Sequence, residues 1–297
     1  MTLNISQALT KIPAELRSYL TPVISHHEFS GQLSPRQVNQ LASLAKTDAS
    51  AIPLKLLPLA AAYALTPISD FQVGAIARGF SGTLYFGANM EFAKTQMGQT
   101  IHAEQAAISH AWMSGETALT DIIIDTPPCG HCRQFMNELT SADTLQIQLP
   151  DKPACGLHHY LPEAFGPGDL GITSGLMSEK NHMKHINTQD ELVLCALHAL
   201  NQSHAPYSQN YSGVAVQMRD QKIYMGAYAE NAAFNPSLPP LQVALVQARM
   251  GGHELNEIQR VVLTEMSHAT VSHLIDTQYV LRQIGPLLEC EYHQIDE

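Results

Sequence analysis

Thr100-Ile101-His102-Ala103-Glu104-Gln105 and Pro128-Cys129-Gly130-His131-Cys132 are the two stretches that decide how this chain is read. From Gln99 to Met113, alanines and long apolar residues recur at helical spacing, which puts His102 and Glu104 in the first turn of a helix. Asp121 to Asp125 is a short β-branched strand, and beyond Thr126-Pro127-Pro128 a second helix is expected from Cys129 through Leu139. Cys129 and Cys132 then lie three apart at a helix start, with both sulfurs on one face, where the helix dipole favours thiolates. His102 arrives from the other helix. Two thiolates and a neutral imidazole balance one Zn²⁺ and leave its fourth tetrahedral position open for water, the arrangement of a catalytic site. Glu104, two residues past the histidine, is placed to take that water's proton and hand it to a ring nitrogen. A Cys-x-x-Cys pair opening a helix after a strand also fits a redox dithiol, but His102-x-Glu104 upstream argues against it.

Working outward, residues 1–47 read as an N-terminal helical segment with a helix start at Ser34-Pro35. A helix is expected from about Leu56 to Leu65. Strands are expected at Gln72 to Arg78 and Thr83 to Gly87, joined around Gly79-Phe80-Ser81-Gly82, with a further one at Thr144 to Leu149. This order predicts an α/β fold in three α/β/α layers around a mixed sheet. A shift of 139 residues lays Pro67-Ile68-Ser69 on Pro206-Tyr207-Ser208 and Tyr85-Phe86-Gly87-Ala88 on Tyr224-Met225-Gly226-Ala227, without a gap. The same shift puts His102 on Leu241, Glu104 on Val243, Cys129 on His268 and Cys132 on Val271, so the fold is expected twice and the chemistry once. The expected division is a catalytic domain over 48–168, a linker over 169–189 and a non-catalytic copy over 190–297. His182 and His185 fall in the linker, where two histidines without a thiol or carboxylate read as solvated side chains. His131, between the two thiols, is expected to point elsewhere on its helix.

The 297 residues carry 16 Lys plus Arg against 27 Asp plus Glu, a formal charge of −11, and no basic run, which argues against a polynucleotide substrate. Five cysteines, two of them in the Cys-x-x-Cys, do not make a secreted disulfide framework. The N-terminus shows no secretory signal, and the most apolar stretch, Ala51 to Ile68, is broken by Pro53, Lys55 and Pro58. A cytoplasmic protein with no membrane partner is expected.

His-x-Glu followed by Pro-Cys-x-x-Cys is the known signature of zinc-dependent nucleobase deaminases, met here at every specified position. The chain further resembles the cytidine deaminases, specifically the larger bacterial type with a catalytic and a degenerate domain. The resemblance runs through Asp70-Phe71-Gln72-Val73-Gly74-Ala75, Gly87-Ala88-Asn89-Met90-Glu91, the two motifs with their extension Arg133-Gln134-Phe135-Met136-Asn137-Glu138, and Ala164-Phe165-Gly166-Pro167. Pro127 departs from the pattern by adding a second proline ahead of Cys129. The resemblance implies one Zn²⁺ per chain on His102, Cys129 and Cys132, with Glu104 as proton shuttle. It also implies substrate contacts at Phe71, Asn89, Met90, Glu91, Ala103 and Phe165, with Asn89 and Glu91 on the ribose hydroxyls, and a homodimer. The expected activity is hydrolytic deamination of cytidine and 2′-deoxycytidine, in pyrimidine salvage. Two alternatives stay open: a deaminase of a nucleotide or nucleic-acid base, and a non-catalytic zinc scaffold.

Overall fold

The computed structural model describes residues 4–296. Three helices open the chain: α1 (Ile5–Thr10), α2 (Ala14–Ile24) and α3 (Pro35–Ala45), with strand β1 (Gln32–Leu33) between the last two. Ser34 caps α3 in a reciprocal box with Gln37, as Ser-Pro predicts. Next come α4 (Ile52–Ala61), β2 (Gly74–Gly79), β3 (Leu84–Ala88), α5 (Ala103–Met113), β4 (Leu119–Ile124), α6 (Gly130–Met136), β5 (Gln146–Gln148), β6 (Cys155–Gly156) and α7 (Leu157–Tyr160). Their strands form one sheet in the order β1-β3-β2-β4-β5-β6, in which the β4–β5 pair alone is parallel.

The second sheet, β10-β9-β7-β8, is built by α8 (Glu191–Gln202), β7 (Ser212–Met218), β8 (Ile223–Ala227), α9 (Pro240–Met250), β9 (Ile258–Met266), α10 (Leu274–Ile284) and β10 (Cys290–Ile295). It repeats the antiparallel hairpin, the antiparallel neighbour and the parallel pair of the first sheet. Ala75 pairs with Gly87, so Gly74, one residue earlier, faces the other side of the sheet. Gly74 sits against Leu57 and Ala61 of α4, and Gly87 against Ala103 and Ala107 of α5, which places the two helices on opposite faces. Gly213 and Gly226 do the same for α8 and α9. The three-layer α/β/α fold is therefore present twice.

The two copies differ by 139 residues from α4/α8 through β3/β8, as the sequence shift requires, and diverge afterwards. Ala103 and Ala107 correspond to Pro240 and Ala244 in their contacts with the strand glycines, an offset of 137. The residues preceding α6 and α10, Cys129 and His273, differ by 144. The gapless alignment is corrected accordingly: His102 faces Pro239, Glu104 faces Leu241, and the counterpart of Cys129 is His273, not His268. Two residues are missing before α9 and regained before β9, where Ile124 and Leu263 again differ by 139, and five are added before α10. The stretch 169–189 is also less solvated than its composition suggests. His182 stacks on Tyr211 with ring centroids 3.5 Å apart, and a ring nitrogen lies 2.8 Å from the Ser203 carbonyl.

Candidate metal and substrate site

Both metal-binding motifs sit at helix starts. His102 is extended backbone at the residue before α5, and its N–H donates to Gln105 Oε1 at 3.2 Å. Cys129 holds the same position before α6, and Cys132 lies in that helix's first turn. The approach loop is fixed from α6 itself: Arg133 Nε donates to the Pro128 carbonyl at 2.8 Å and Nη1 to the Tyr160 carbonyl at 2.9 Å. Asp125, at the end of β4, accepts from the Gly74 N–H at 2.9 Å and ties that loop to the sheet.

The ligand atoms of His102, Cys129 and Cys132 lie within 4.8 Å of one another and form the one such metal-capable group among the described residues. Cys129 Sγ is 3.6 Å from His102 Nδ1 and 3.6 Å from Cys132 Sγ. A tetrahedral zinc with Zn–S of about 2.3 Å and Zn–N of about 2.0 Å calls for S···N and S···S separations of about 3.5–3.8 Å. The donor set fits the ion in kind and in spacing. The two thiols share a hydrogen bond that pulls the Cys129 thiol down and pushes the Cys132 thiol up. His131 does not point away as expected; its ring stacks on His102, centroids 4.9 Å apart.

Glu104 is 5% exposed, and burial raises its carboxyl above the usual range, opposed by its own backbone N–H and by Cys132. It lines a cavity of about 290 Å³ together with Phe71, Asn89, Glu91, His102 and Cys129. That is close to the lower end of small-molecule sites, which run from about 300 Å³ upward. Asn89 Oδ1 accepts from the Val73 N–H at 2.9 Å, and its Nδ2 donates to the Phe71 carbonyl at 2.9 Å. Glu91 Oε2 accepts from the N–H groups of Ile68 (2.9 Å) and Ser69 (3.0 Å), and Oε1 from the Ser69 hydroxyl. Burial pushes the Glu91 carboxyl up, but the Ser69 and Ile68 donors outweigh it and hold it below its usual value. Both residues thus hold the segment that carries Phe71 at the pocket mouth, where its ring is 58% exposed.

Ala103 also lines the cavity, but Met90 and Phe165 do not. Met90 is fully buried and pairs with Ile101 through both of its backbone groups, at 2.9 Å each. Phe165 is half-exposed, with its carbonyl accepting from Gln134 Nε2 and Asn137 Nδ2. Ser69 and Thr126 line the pocket without having been singled out in the sequence. Ser69 belongs to the repeated Pro-x-Ser, which was the available signal.

In the second copy Glu230 repeats the clamp of Glu91, accepting from the N–H groups of Tyr207 (2.7 Å) and Ser208 (3.1 Å). Tyr228 stands in the place of Asn89. It is buried, donates to Glu230 at 3.4 Å and packs edge-on against His273 with centroids 4.3 Å apart. Pro239 and Leu241 supply neither a ligand nor a proton carrier.

A family model described as "Cytidine and deoxycytidylate deaminase zinc-binding region" matches residues 52–147, and a second model with the same description matches 157–278. The protein named cytidine deaminase from Vibrio cholerae serotype O1 (strain O395) is 55% identical over 289 residues, covering 97% of this chain and 98% of that protein. The cytidine deaminase of Photobacterium profundum is 53% identical over 98% of this chain and 99% of its own length. That of Vibrio parahaemolyticus is 52% identical over 96% and 97%, respectively.

Proposed function

The chain belongs to the cytidine deaminase family, and from that premise we propose that its pocket hydrolyses cytidine and 2′-deoxycytidine to uridine and 2′-deoxyuridine plus ammonia. The observation that carries this reading is the buried Glu104 carboxyl on the wall of the small pocket that also holds His102 and Cys129. A scaffold zinc needs no such neighbour. His102, Cys129 and Cys132 would hold the zinc, which when bound supplies an acidified water and a positive charge beside the reacting carbon. Glu104 takes one proton of the attacking water and delivers it to the ring nitrogen, then takes the second from the added hydroxyl and passes it to the departing amine, which leaves as ammonia. A C–O bond forms at the amine-bearing carbon as its C–N bond breaks. Burial raises the proton affinity of Glu104, which suits a group that must both accept and return a proton.

Phe71 offers a ring face to the pyrimidine. Asn89 spends one donor and one acceptor on the 71–73 segment and keeps one of each, while Glu91 uses three of about four acceptor sites. A sugar hydroxyl, which donates and accepts, matches what is left. Ala103 would contact the substrate at the pocket wall. Met90 would act through its backbone place between Asn89 and Glu91. Phe165 would serve the substrate only in an assembly of two chains, the homodimer that the family resemblance implies. The formal charge of −11 favours an uncharged nucleoside over a polynucleotide. No helix among the described residues is long and apolar enough to cross a membrane, and a cytoplasmic role in pyrimidine salvage belongs to the same proposal. So does the division into 48–168, which holds every ligand, and 190–297, which holds none.

Glu104→Gln tests the assignment, because it keeps the shape of the side chain and removes the base. Ammonia release from cytidine should fall on the order of 10²–10⁴-fold while zinc stays at one per chain. Parental turnover in this variant would overturn the role of Glu104. A panel of free base, nucleosides, nucleotides and oligonucleotides, assayed in parallel, tests the substrate.

A further inference from the structure

The two copies meet through α5 and α9, and the hydrogen bonds across that contact are reciprocal. Gln105, in the first turn of α5, donates from Nε2 to the Pro236 carbonyl at 3.0 Å. Gln242, its counterpart in the first turn of α9, donates to Gln99 Oε1 at 2.5 Å. Gln99 and Pro236 are themselves counterparts, each lying in the loop before its helix. Both glutamines are almost fully buried. Each copy therefore reaches into the loop that leads to the other's helix.

The reciprocity is of form only, because His102 ends just one of the two loops. The Gln105 amide is bonded on both sides: Oε1 takes the His102 N–H and Nε2 takes Pro236. The same loop of the second copy also holds the other ligand helix. Asn231 Nδ2 donates to the Gln134 carbonyl of α6 at 2.9 Å, and the Ala232 N–H donates to Glu138 Oε2 at 2.9 Å. Glu138 is fully buried and also accepts from Tyr207 Oη and His204 Nε2, both of the second copy. Asn89, Glu91, Thr100 and His102 line the substrate pocket in the catalytic copy, whereas Asn231, Ala232 and Pro236 of the equivalent stretch bond to Gln134, Glu138 and Gln105 of the catalytic copy.

We infer that Gln105 is a positioning residue through which the C-terminal copy aligns His102 for metal binding. The inference rests on the reading that His102, Cys129 and Cys132 hold zinc. Groups that hold a metal ligand in place without touching the metal are worth about 10–100-fold in metal affinity. The test compares full-length, zinc-loaded parent with Gln105→Met and with Gln247→Met. The latter removes a bond of the same kind between the copies, from Gln247 Nε2 to the Ser109 carbonyl, far along α5 from His102. Zinc transfer to a chromophoric chelator, kcat, KM and the urea midpoint are measured for each. Gln105→Met should release zinc about tenfold faster and lose kcat several-fold at little-changed KM, whereas Gln247→Met shifts only the midpoint. Release within twofold of parent in Gln105→Met, or equal acceleration in both variants, overturns the proposal. If Gln105→Met does not fold, Asn231→Ala decides, because it removes the second copy's side-chain bond to α6 without altering either ligand helix: faster release supports the brace and parental release overturns it. A parent that binds no zinc or releases no ammonia would instead defeat the underlying reading of the site.

Discussion

Gly87→Ala and Gly226→Ala separate the fold from the chemistry, because the same substitution meets the same obstacle in both copies. A Cβ on Gly87 would lie 2.2 Å from the Ala107 nitrogen and 2.5 Å from the Ala103 carbonyl; a Cβ on Gly226 would lie 2.2 Å from the Ala244 nitrogen and 2.3 Å from the Pro240 carbonyl. The obstacle is helix backbone, so no rotamer relieves it. Carbon contacts are comfortable at about 3.5 Å, so each helix must retreat by about 1 Å. Overpacking of this kind costs about 1–3 kcal/mol, and the two variants should lose similar stability. In the first copy the retreating helix carries Glu104 and is led by His102, while Cys129 and Cys132 stay on α6. A ligand shift of about 1 Å far exceeds the roughly 0.2 Å tolerance of a metal site, and misplacement on that scale costs about 10²-fold in rate. Gly87→Ala should therefore lose about 100-fold in kcat and part of its zinc, while Gly226→Ala keeps kcat within a few-fold of parent. Ammonia release at saturating cytidine, elemental zinc and urea midpoints read the three quantities. Equal kcat and equal zinc in the two variants would refute the reasoning.

Burial of His110, opposed by its bond to the Phe86 carbonyl, pulls it down to about 4, so the native state keeps it neutral. The unfolded chain takes up a proton below about pH 6.5, so stability falls from there to about pH 4; at pH 5 the loss amounts to about 2 kcal/mol. The stability gap between parent and His110→Gln at pH 7 should narrow by that amount at pH 5 in urea titrations, and an unchanged gap would count against it. Cys129→Ala and Cys132→Ala should each abolish zinc binding, whereas His273→Ala should leave one zinc per chain; a second zinc in the parent would defeat the single-site reading.

The helices and strands around the site were legible because their apolar spacing and turn residues are local signals. The ends were less so. The helix expected from Gln99 starts at Ala103, because Met97–Gln99 turns on its own and Ile101 pairs with Met90 instead. The helix expected to reach Leu139 stops at Met136. β1 has only two residues and a remote partner in β3, so no periodicity announces it within the helical N-terminal segment. The duplication was visible where glycines must let helices approach strands. The alignment slipped where the loops before α9 and α10 changed length, since no residue type there announces an insertion or a deletion. The site itself was legible as metal chemistry from residue types alone. What spacing could not show is that Asn89 spends half, and Glu91 most, of its hydrogen-bonding capacity on the 68–73 segment.

The second copy keeps the shape without the residues proposed for the chemistry. Glu91 and Glu230 make the same pair of backbone bonds, so a glutamate there serves the fold whether or not a substrate is bound. Asn89 gives way to Tyr228, whose ring closes against His273, and Pro239 and Leu241 replace His102 and Glu104. A buried carboxylate without its donors would cost the second copy stability, whereas a ligand histidine without a metal stabilises nothing. Gly226, Glu230 and Gln242 keep their packing and hydrogen bonds in the second copy, while the ligand positions do not recur. Residues that persist in both copies mark the architecture, and those confined to the first include the ones proposed for the reaction.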